Sequence, residues 1–305
     1  MGQINRKRNS VINNVTTLSE SEKDWWTIQI KDFRKKYIKP PMFYVNETIT
    51  KLNYTDYEIR QNVEKLLIED REDVYNLYLK DEAVLNAKLV SHLIDNREIP
   101  NEIFSSIVNT KVLSSNLDSI TPEELKKLLS ETIGEYTGAV FPYFYELSLS
   151  TTNSRRSRAG KTFESLIEKT LEILGVPFEN QSQLGTSFYK QHSLGKKVDL
   201  IIPGRLAYEK RRSSCGIISV KTSLRERWQE VVEELNRSNT RHIYLATLDE
   251  GITDNQLELM KNYAITLIVR ENEKNSKFKD AGTVESFQQF FNTTIPHLLS
   301  AWDEH

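Results

Sequence analysis

Apolar side chains recur at intervals of three and four residues through most of the chain from about residue 18 to residue 148. This spacing puts them on one face of a helix, and Ser, Thr or Asp stands at several starts, where its side chain can cap the first turn. The pattern runs through SESEKDWWTIQIKDFRKKY, TDYEIRQNVEKLLIEDREDVYNLYLKDEAVLNAKLVSHLID and TPEELKKLLSETIGEYTGAVFPYFYEL. The N-terminal half is therefore predicted to be helical.

A polar stretch, SLSTTNSRRSRAG, follows this half and is predicted to be a loop that leads into a helix. We place a domain boundary there, so that residues 1–148 form a helical N-terminal region and residues 149–305 form a second domain.

After Gly160 the pattern alternates between amphipathic helices and short apolar runs. KTFESLIEKTLEILG is predicted to be a helix that ends at Gly175, and LRERWQEVVEELNR, NQLELMKNY and TVESFQQFFNTTIPHLL are predicted to be the later helices. The predicted strands lie in KKVDLIIPG, CGIISVKTS, RHIYLATL and AITLIVRE. This order predicts an α/β fold, a mixed sheet with helices on both faces.

Composition narrows the class of protein. In 305 residues, 38% hydrophobic and 10% aromatic content is ample for a packed core. We expect a cytoplasmic protein without a membrane partner, because no apolar run approaches the roughly 20 residues needed to cross a bilayer and the basic N-terminus lacks the apolar stretch of a secretion signal. Cys215, the single cysteine, is interpreted as a buried, inert thiol.

The net charge of −2 does not favour binding to phosphates, but the basic residues are clustered. The clusters are Arg155, Arg156, Arg158 and Lys161; Lys196 and Lys197; Lys210, Arg211 and Arg212; and Arg225 and Arg227. Such clustering suits an enzyme that grips DNA in one cleft. For the first cluster, contact with DNA phosphates and a solvated linker are equally supported alternatives.

Asp199 and Lys221 carry the chemistry that the pattern suggests. Asp199 is predicted at the exposed end of one strand and Lys221 at the end of the next, so pairing of the strands brings a carboxylate and an ammonium group to one edge of the sheet. A carboxylate binds Mg²⁺, and a lysine can orient the attacking water and stabilise the charge of the transition state. This arrangement is typical of metal-dependent nucleases.

The site is one acid short as far as the strands go. Nucleases of this kind usually carry a second carboxylate two residues before the lysine, where this chain has Ser219. The following helix offers Glu230, Glu233 and Glu234 as substitutes. An acid on the appropriate face of that helix can reach back toward the end of the lysine strand.

Together these residues resemble the EcoRII-type branch of the restriction endonucleases that recognise CCGG-like sites, which have the PD-(D/E)XK nuclease fold. In that branch the missing acid lies on the downstream helix thirteen residues after the lysine, at Glu234 here. The branch also has an SRAG-like segment before a helix with an inward glutamate, and an Arg-Glu-Arg type cluster after the lysine strand. The matching residues here are Ser157 to Gly160, Glu164, Arg225, Glu226 and Arg227.

The resemblance covers roughly residues 150 to 270, and Val198 replaces the proline that commonly precedes the first aspartate. It implies that Asp199 and Glu234 bind Mg²⁺, that Lys221 is the water-orienting base or an electrostatic group, and that Glu164 is a further acid that orders water at the metal. Arg155, Arg156, Arg158 and Lys161 would contact phosphates beside this site.

The resemblance further implies a type II restriction endonuclease that cuts both strands of double-stranded DNA at a CC/GG-containing palindrome, such as CCNGG, CCWGG or CCGG, and leaves 5′ overhangs. Two subunits related by a dyad would read such a palindrome, so we expect a homodimer or higher oligomer in a bacterial cytoplasm. The resemblance does not extend to the first 145 residues, and we expect the helices there to clasp DNA or form the dimer. A cognate DNA methyltransferase would be encoded nearby but not bound.

Arg225, Glu226 and Arg227 also suit this specificity on physical grounds. An arginine matches O6 and N7 of guanine, and a glutamate accepts from the N4 amino group of cytosine, each pair contributing about 1 to 3 kcal/mol of discrimination. Taken alone, the three residues would be interpreted as a solvated helix start, and only their position after Lys221 favours recognition.

Two alternatives remain at this level: a repair or recombination nuclease on the same scaffold without a fixed site, and a non-catalytic DNA-binding protein. Four aromatic residues also carry two interpretations, as core residues or as rings that stack on an extruded base. They are Trp25, Trp26, Tyr54 and Tyr57. The histidine spacing does not indicate a zinc site.

Overall fold

The computed structural model describes residues 17–115, 119–194, 198–224, 232 and 242–303. Its helices are α1 (Glu20–Tyr37), α2 (Pro41–Leu52), α3 (Asp56–Gln61), α4 (Arg71–Asn96), α5 (Glu98–Ile107), α6 (Pro122–Ala139), α7 (Phe141–Ile173), α8 (Gln181–Gln191), α9 (Arg205–Lys210), α10 (Asp254–Asn262), α11 (Glu271–Ser276), α12 (Phe287–Gln289) and α13 (Ile295–Asp303). Its strands are β1 (Glu179–Asn180), β2 (Leu200–Ile202), β3 (Gly216–Lys221), β4 (Ile243–Thr247), β5 (Ile265–Val269) and β6 (Val284–Ser286). None of the described helices is long and apolar enough to cross a membrane.

The chain divides into two compact units. We call residues Met1–Lys39 and Tyr78–Arg155 the helical unit, and residues Pro40–Leu77 and Arg156–His305 the sheet unit. The division falls inside α4 and α7, and residues 40–77 belong to the sheet unit although they precede most of the helical unit in sequence. A functional division near residue 148 stays a prediction.

The helical unit confirms the predicted helical character of the N-terminal half. Ser19 and Thr121 cap α1 and α6, each in a capping box with the glutamate three residues later. Trp26 on α1 is buried, and its Nε1 donates a hydrogen bond to the carbonyl oxygen of Tyr143 on α7 at 2.9 Å. This bond satisfies the one polar atom of a large core side chain.

The loop predicted for SLSTTNSRRSRAG is wrong, because these residues lie inside α7. No residue from 148 to 160 is fully buried, whereas Leu147 and Phe163 on either side are. The polar composition therefore reflects solvent exposure rather than a break in the helix. Arginine favours helix well, and Ser148 satisfies its hydroxyl by donating to the carbonyl oxygen of Phe144 at 2.8 Å.

The sheet unit confirms the predicted mixed sheet. Its strand order is β1-β2-β3-β4-β5-β6; β1, β2 and β3 pair antiparallel, whereas β3 to β6 pair parallel. In β3 every residue from Gly216 to Val220 is buried, and in β4 all five residues are. Burial of successive residues means that both faces of these central strands are covered.

The four predicted strands are β2 to β5, and Gly175 ends the helix before them with a φ of +66°. β1 and β6 were not predicted, and the final segment, predicted to be wholly helical, begins with β6. Strands of two and three residues are too short to show alternation, and their partners are distant in sequence. Of the helix predicted after β3, only Val232 is described, and it is helical and buried.

Candidate nuclease site

The start of β2 lies beside the end of β3 because the two strands are antiparallel. Asp199 immediately precedes β2, Lys221 ends β3, and Nζ of Lys221 donates to Oδ2 of Asp199 at 3.0 Å. The structure thus brings together the two side chains that the sequence singles out. Asp199 is only 6% exposed, so the expectation of an exposed strand end was wrong for this residue.

Both oxygens of the Asp199 carboxylate accept hydrogen bonds. Oδ2 accepts from the backbone N–H of Val220 at 2.7 Å as well as from Lys221, and Oδ1 accepts from Nε2 of Gln181 at 3.0 Å. Lys221 also donates to the carbonyl oxygen of Val220 at 2.9 Å. These bonds fix the carboxylate and the ammonium group relative to the strand ends.

Glu164 lies on α7, close enough for the charges of Asp199 and Lys221 to affect its pKa. The pKa of the Glu164 carboxyl is raised to about 7, first by burial and then by the negative charge of Asp199, whereas Lys221 and Lys161 lower it. A buried carboxyl beside another carboxylate resists ionisation. Glu164, Asp199 and Lys221 therefore lie in one region of the sheet unit.

Glu168 follows Glu164 by one turn of α7 and was not singled out in the sequence. Burial raises its pKa; the charges of Glu172 and Asp199 add to the effect, and a hydrogen bond from Nδ2 of Asn180 at 3.0 Å opposes it. The only signal in the sequence that could have found it is its position one helical turn after Glu164, on the same side of α7.

This donor set fits a hard divalent cation. Carboxylate oxygens are the ligands that Mg²⁺ prefers, and a cation there would favour the ionised form of Glu164, whose pKa burial and the charge of Asp199 raise. Within the described ranges, however, no three His, Cys, Asp or Glu side chains are grouped closely enough to hold a metal ion by themselves. A cation at this site therefore needs a further ligand.

Ser219 stands where the second strand acid is usual. It is 1% exposed, and its Oγ has no hydrogen-bond partner in the part of the chain that the structure describes. The predicted substitute, Glu234, lies outside the described residues, as do Arg225, Glu226 and Arg227 of the predicted recognition cluster and Lys196 and Lys197.

The basic residues predicted to contact phosphates differ in their partners. Arg155, in the helical unit, donates through Nε to both oxygens of the buried Glu82 at 2.9 and 3.1 Å, and also through an Nη atom. In the sheet unit, Arg158 lies over the ring of Tyr44 at 5.9 Å from its centroid, while Arg156 and Lys161 are exposed. Arg155, Arg156 and Lys161 all have the exposure that phosphate contact needs, although Arg155 is paired with Glu82.

Other residues singled out in the sequence have ordinary surroundings. Trp26 is a core residue, and Trp25 stacks on it at 5.8 Å. Tyr57 is 68% exposed and therefore does not belong to the core. Cys215 is a buried thiol, as predicted, and burial raises its pKa to about 12.

Residues 123–291, more than half of the chain, match the protein family described as "EcoRII C terminal". The chain is 30% identical over 274 residues to the type II restriction enzyme SsoII of Shigella sonnei, an alignment that covers 88% of this chain and 81% of SsoII. It is 27% identical over 129 residues to the type II restriction enzyme EcoRII of Escherichia coli, which covers 41% of this chain and 30% of EcoRII.

A solved structure extends the likeness to the fold. Metal-depleted Ecl18kI in complex with uncleaved, modified DNA superposes with a TM-score of 0.73 and 28% identity, over 94% of this chain and 86% of that one. The predicted PD-(D/E)XK core is thereby confirmed. The family match, the identity to SsoII and the superposition agree that the chain belongs to the EcoRII C-terminal family and is a type II restriction endonuclease of the EcoRII and SsoII kind.

Proposed function

We propose that the enzyme hydrolyses one phosphodiester in each strand of a CC/GG-containing palindrome, such as CCNGG, CCWGG or CCGG, in a Mg²⁺-dependent reaction that leaves 5′ overhangs. The observation that carries this proposal is the contact between Asp199 and Lys221 at the paired strand ends, with Glu164 beside them. A buried carboxylate, an ammonium group and a second acid are the groups that metal-dependent phosphodiester hydrolysis requires.

Asp199 and Glu234 are the proposed metal ligands, and the cation would supply positive charge next to the phosphate under attack. Asp199 is held ready by donors on both oxygens. For Glu234 the support is its position thirteen residues after Lys221, together with Ser219 in the place of the usual acid.

Among the described residues, Nζ of Lys221 donates to two acceptors, which leaves one of its hydrogens for the reaction. Of the three that Nζ carries, one points to Oδ2 of Asp199 and one to the carbonyl oxygen of Val220. The third can be donated to the attacking water or to a phosphate oxygen, which orients the nucleophile and stabilises the developing charge. Glu164, with a pKa of about 7, orders the water and can hold its proton near neutral pH.

Arg225 and Arg227 are proposed to read the guanines of one half-site, and Glu226 the cytosines. Arg156, Arg158 and Lys161 are proposed to contact phosphates, a role that Arg155 would share only outside its ion pair with Glu82. The partner is double-stranded DNA, in keeping with the DNA bound in the similar Ecl18kI structure.

A palindrome read by two identical half-site readers calls for a homodimer or a higher even oligomer. The N-terminal helices are proposed to form that contact or to clasp the DNA. We further propose that the enzyme acts in a bacterial cytoplasm, where a methyltransferase encoded nearby and not bound to the enzyme protects host DNA.

The test is digestion of plasmid DNA with and without Mg²⁺, followed by sequencing of the ends. Discrete fragments that end in 5′ overhangs at CC/GG sites would support the proposal. A smear would indicate a nuclease without a fixed site. A gel shift of the DNA without cleavage, whichever divalent cation is added, would indicate a DNA-binding protein.

The matched variants are Lys221→Ala and Lys261→Ala, the latter an exposed lysine on α10. Lys221→Ala and Asp199→Ala should lower the cutting rate by a factor of about 10² to 10³ or more while specific DNA binding survives. Lys261→Ala should cut like the wild type. Cutting at the wild-type rate by either site variant would refute the assignment.

A further inference from the structure

The pairing of β1 with β2 places Gln181 beside Asp199. Gln181 is the first residue of α8 and follows β1 directly. β1 pairs antiparallel with β2, with Asn180 opposite Leu200. Because an antiparallel register advances in opposite directions on the two strands, the next positions are Gln181 and Asp199. The pairing of two short strands therefore sets a side-chain amide beside the carboxylate.

The amide group of Gln181 uses both of its hydrogens there. Nε2 lies 3.0 Å from Oδ1 of Asp199 and 3.0 Å from the carbonyl oxygen of Val198. One hydrogen bond ties the amide to the backbone before the acid, and the other ties it to the acid itself. With Oδ2 held by Val220 and Lys221, neither oxygen is left to rotate freely.

The position of Gln181 is itself anchored from α7. Asn180 is the N-cap of α8, and its Oδ1 accepts from the backbone N–H groups of Ser182 and Gln183, each at 3.1 Å. Its Nδ2 donates to Glu168, one helical turn after Glu164. The turn that carries Gln181 is thus bound to the helix that carries the second acid of the site.

A role limited to the fold would need only one of these bonds. The carbonyl oxygen of Val198 also accepts from the hydroxyl of Tyr189 at 2.9 Å, so it keeps a donor without Gln181. The bond to Asp199 is different, because the donor that the strand itself supplies, the N–H of Val220, bonds to Oδ2 and not to Oδ1. Losing the amide should therefore affect the carboxylate more than the backbone.

We propose that Gln181 is a positioning residue, which holds the Asp199 carboxylate in the orientation that binds the divalent cation. The proposal rests on the proposed function, because it takes Asp199 as a metal ligand. Groups that orient a metal ligand typically change metal affinity or activity by about 10- to 100-fold when they are removed. The same range is expected here.

The experiment uses the full chain and compares Gln181→Met, which keeps the length of the side chain and removes the donor, with Gln191→Met, the same change at the exposed far end of α8. Binding of Mn²⁺ alone is followed by electron paramagnetic resonance of the free ion. Cleavage is measured across a range of Mg²⁺ concentrations.

Gln181→Met should raise the Kd for Mn²⁺ and the Mg²⁺ concentration at half-maximal rate by about 10- to 100-fold, with a smaller loss of rate at saturating Mg²⁺. Gln191→Met should match the wild type in both. A Kd for Mn²⁺ in Gln181→Met within a factor of two of the wild type would overturn the proposal.

The variant Asp199→Asn distinguishes a failure of the role proposed for Gln181 from a failure of the proposed metal site. If Asp199→Asn loses Mn²⁺ binding and Gln181→Met does not, only the role of Gln181 fails. If Asp199→Asn binds Mn²⁺ and cuts like the wild type, the proposed site itself fails. Should Gln181→Met not fold, the side-chain amide resonance of Gln181 in the wild type decides: a shift on Mg²⁺ addition supports the proposal, and no shift refutes it.

Discussion

Each of the two units contains a buried carboxylate that accepts hydrogen bonds from a basic side chain, but the other charged groups around the two pairs differ. In the helical unit, Glu82 is 3% exposed and accepts from both Arg155 and the hydroxyl of Tyr78. In the sheet unit, Asp199 accepts from Lys221, while Glu164 adds a further acid. The first group pairs one carboxylate with one guanidinium group. In the second, Asp199, Glu164 and Glu168 outnumber Lys221 and Lys161 among the described residues, and burial, followed by the charge of Asp199, raises the pKa of Glu164 to about 7.

This difference separates a stabilising ion pair from a site with a capacity for ligands. Removing one partner of a buried ion pair is strongly destabilising, because it leaves the other charge uncompensated. An excess of buried negative charge opposes folding until a proton or a metal ion offsets it, which is typical of functional sites. The same chemical change, glutamate to glutamine, should therefore have opposite effects on stability in the two units.

Glu82→Gln should give the largest change. The substitution leaves Arg155 opposite a neutral amide and loses two charge-assisted hydrogen bonds, so we expect the free energy of unfolding to fall by about 2 kcal/mol. Urea denaturation at pH 8 measures it. A fall below about 0.5 kcal/mol would mean that solvent around Arg155, which is 45% exposed, already replaces the pair.

Glu164→Gln should change stability in the other direction. Because the pKa of this carboxyl is raised from 4.5 to about 7, the folded state holds a proton that the unfolded state loses, and the contribution of Glu164 falls as pH rises through this window. Glutamine removes that loss. At pH 8 the variant should be more stable by about 1 to 2 kcal/mol, after allowance for solvent around a half-buried side chain, and the gain should vanish near pH 4.5.

The control for this measurement is Glu258→Gln, at an exposed position on α10. It should stay within about 0.5 kcal/mol of the wild type at both pH values. If Glu164→Gln were less stable than the wild type at pH 8, or changed in stability equally at both pH values, the ionised Glu164 carboxylate would not oppose folding as we expect.

Mg²⁺ should have the smallest effect. A cation that binds only the folded state stabilises it by about 1.4 kcal/mol at a concentration ten times its Kd. We expect this gain for the wild type at pH 8, a smaller gain for Glu164→Gln, and an unchanged gain for Glu82→Gln. Thermal unfolding with and without the ion measures it. Equal stabilisation of all three proteins would mean that the ion binds elsewhere.

The periodicity of apolar residues and the order of the segments predicted much of the fold. Strands β2 to β5 consist of apolar runs, as expected for strands that are covered on both faces of the sheet. The spacing of these runs predicted the mixed sheet. The approach of Asp199 to Lys221 was also predictable, because consecutive antiparallel strands bring the start of one beside the end of the other. Composition misled at residues 148–160, where a polar, exposed part of α7 resembled a loop.

The remaining parts of the site depend on contacts between distant segments. Gln181 reaches Asp199 through β1, a strand of two residues that shows no pattern, although the capping box of Asn180 and Gln183 marks where α8 begins. Arg155 pairs with Glu82 across 73 residues, so a residue predicted to contact phosphate also forms one half of an ion pair. Neither pairing is visible locally.

The amino-acid sequence by itself determined which residue types are present and the local structure around them: the helices, the central strands, and an acid and a lysine at adjoining strand ends. Only the tertiary structure decided which charges are balanced. The physical reason is that the cost of a buried charge depends on every group that packs around it, and those groups come from segments far apart in the chain.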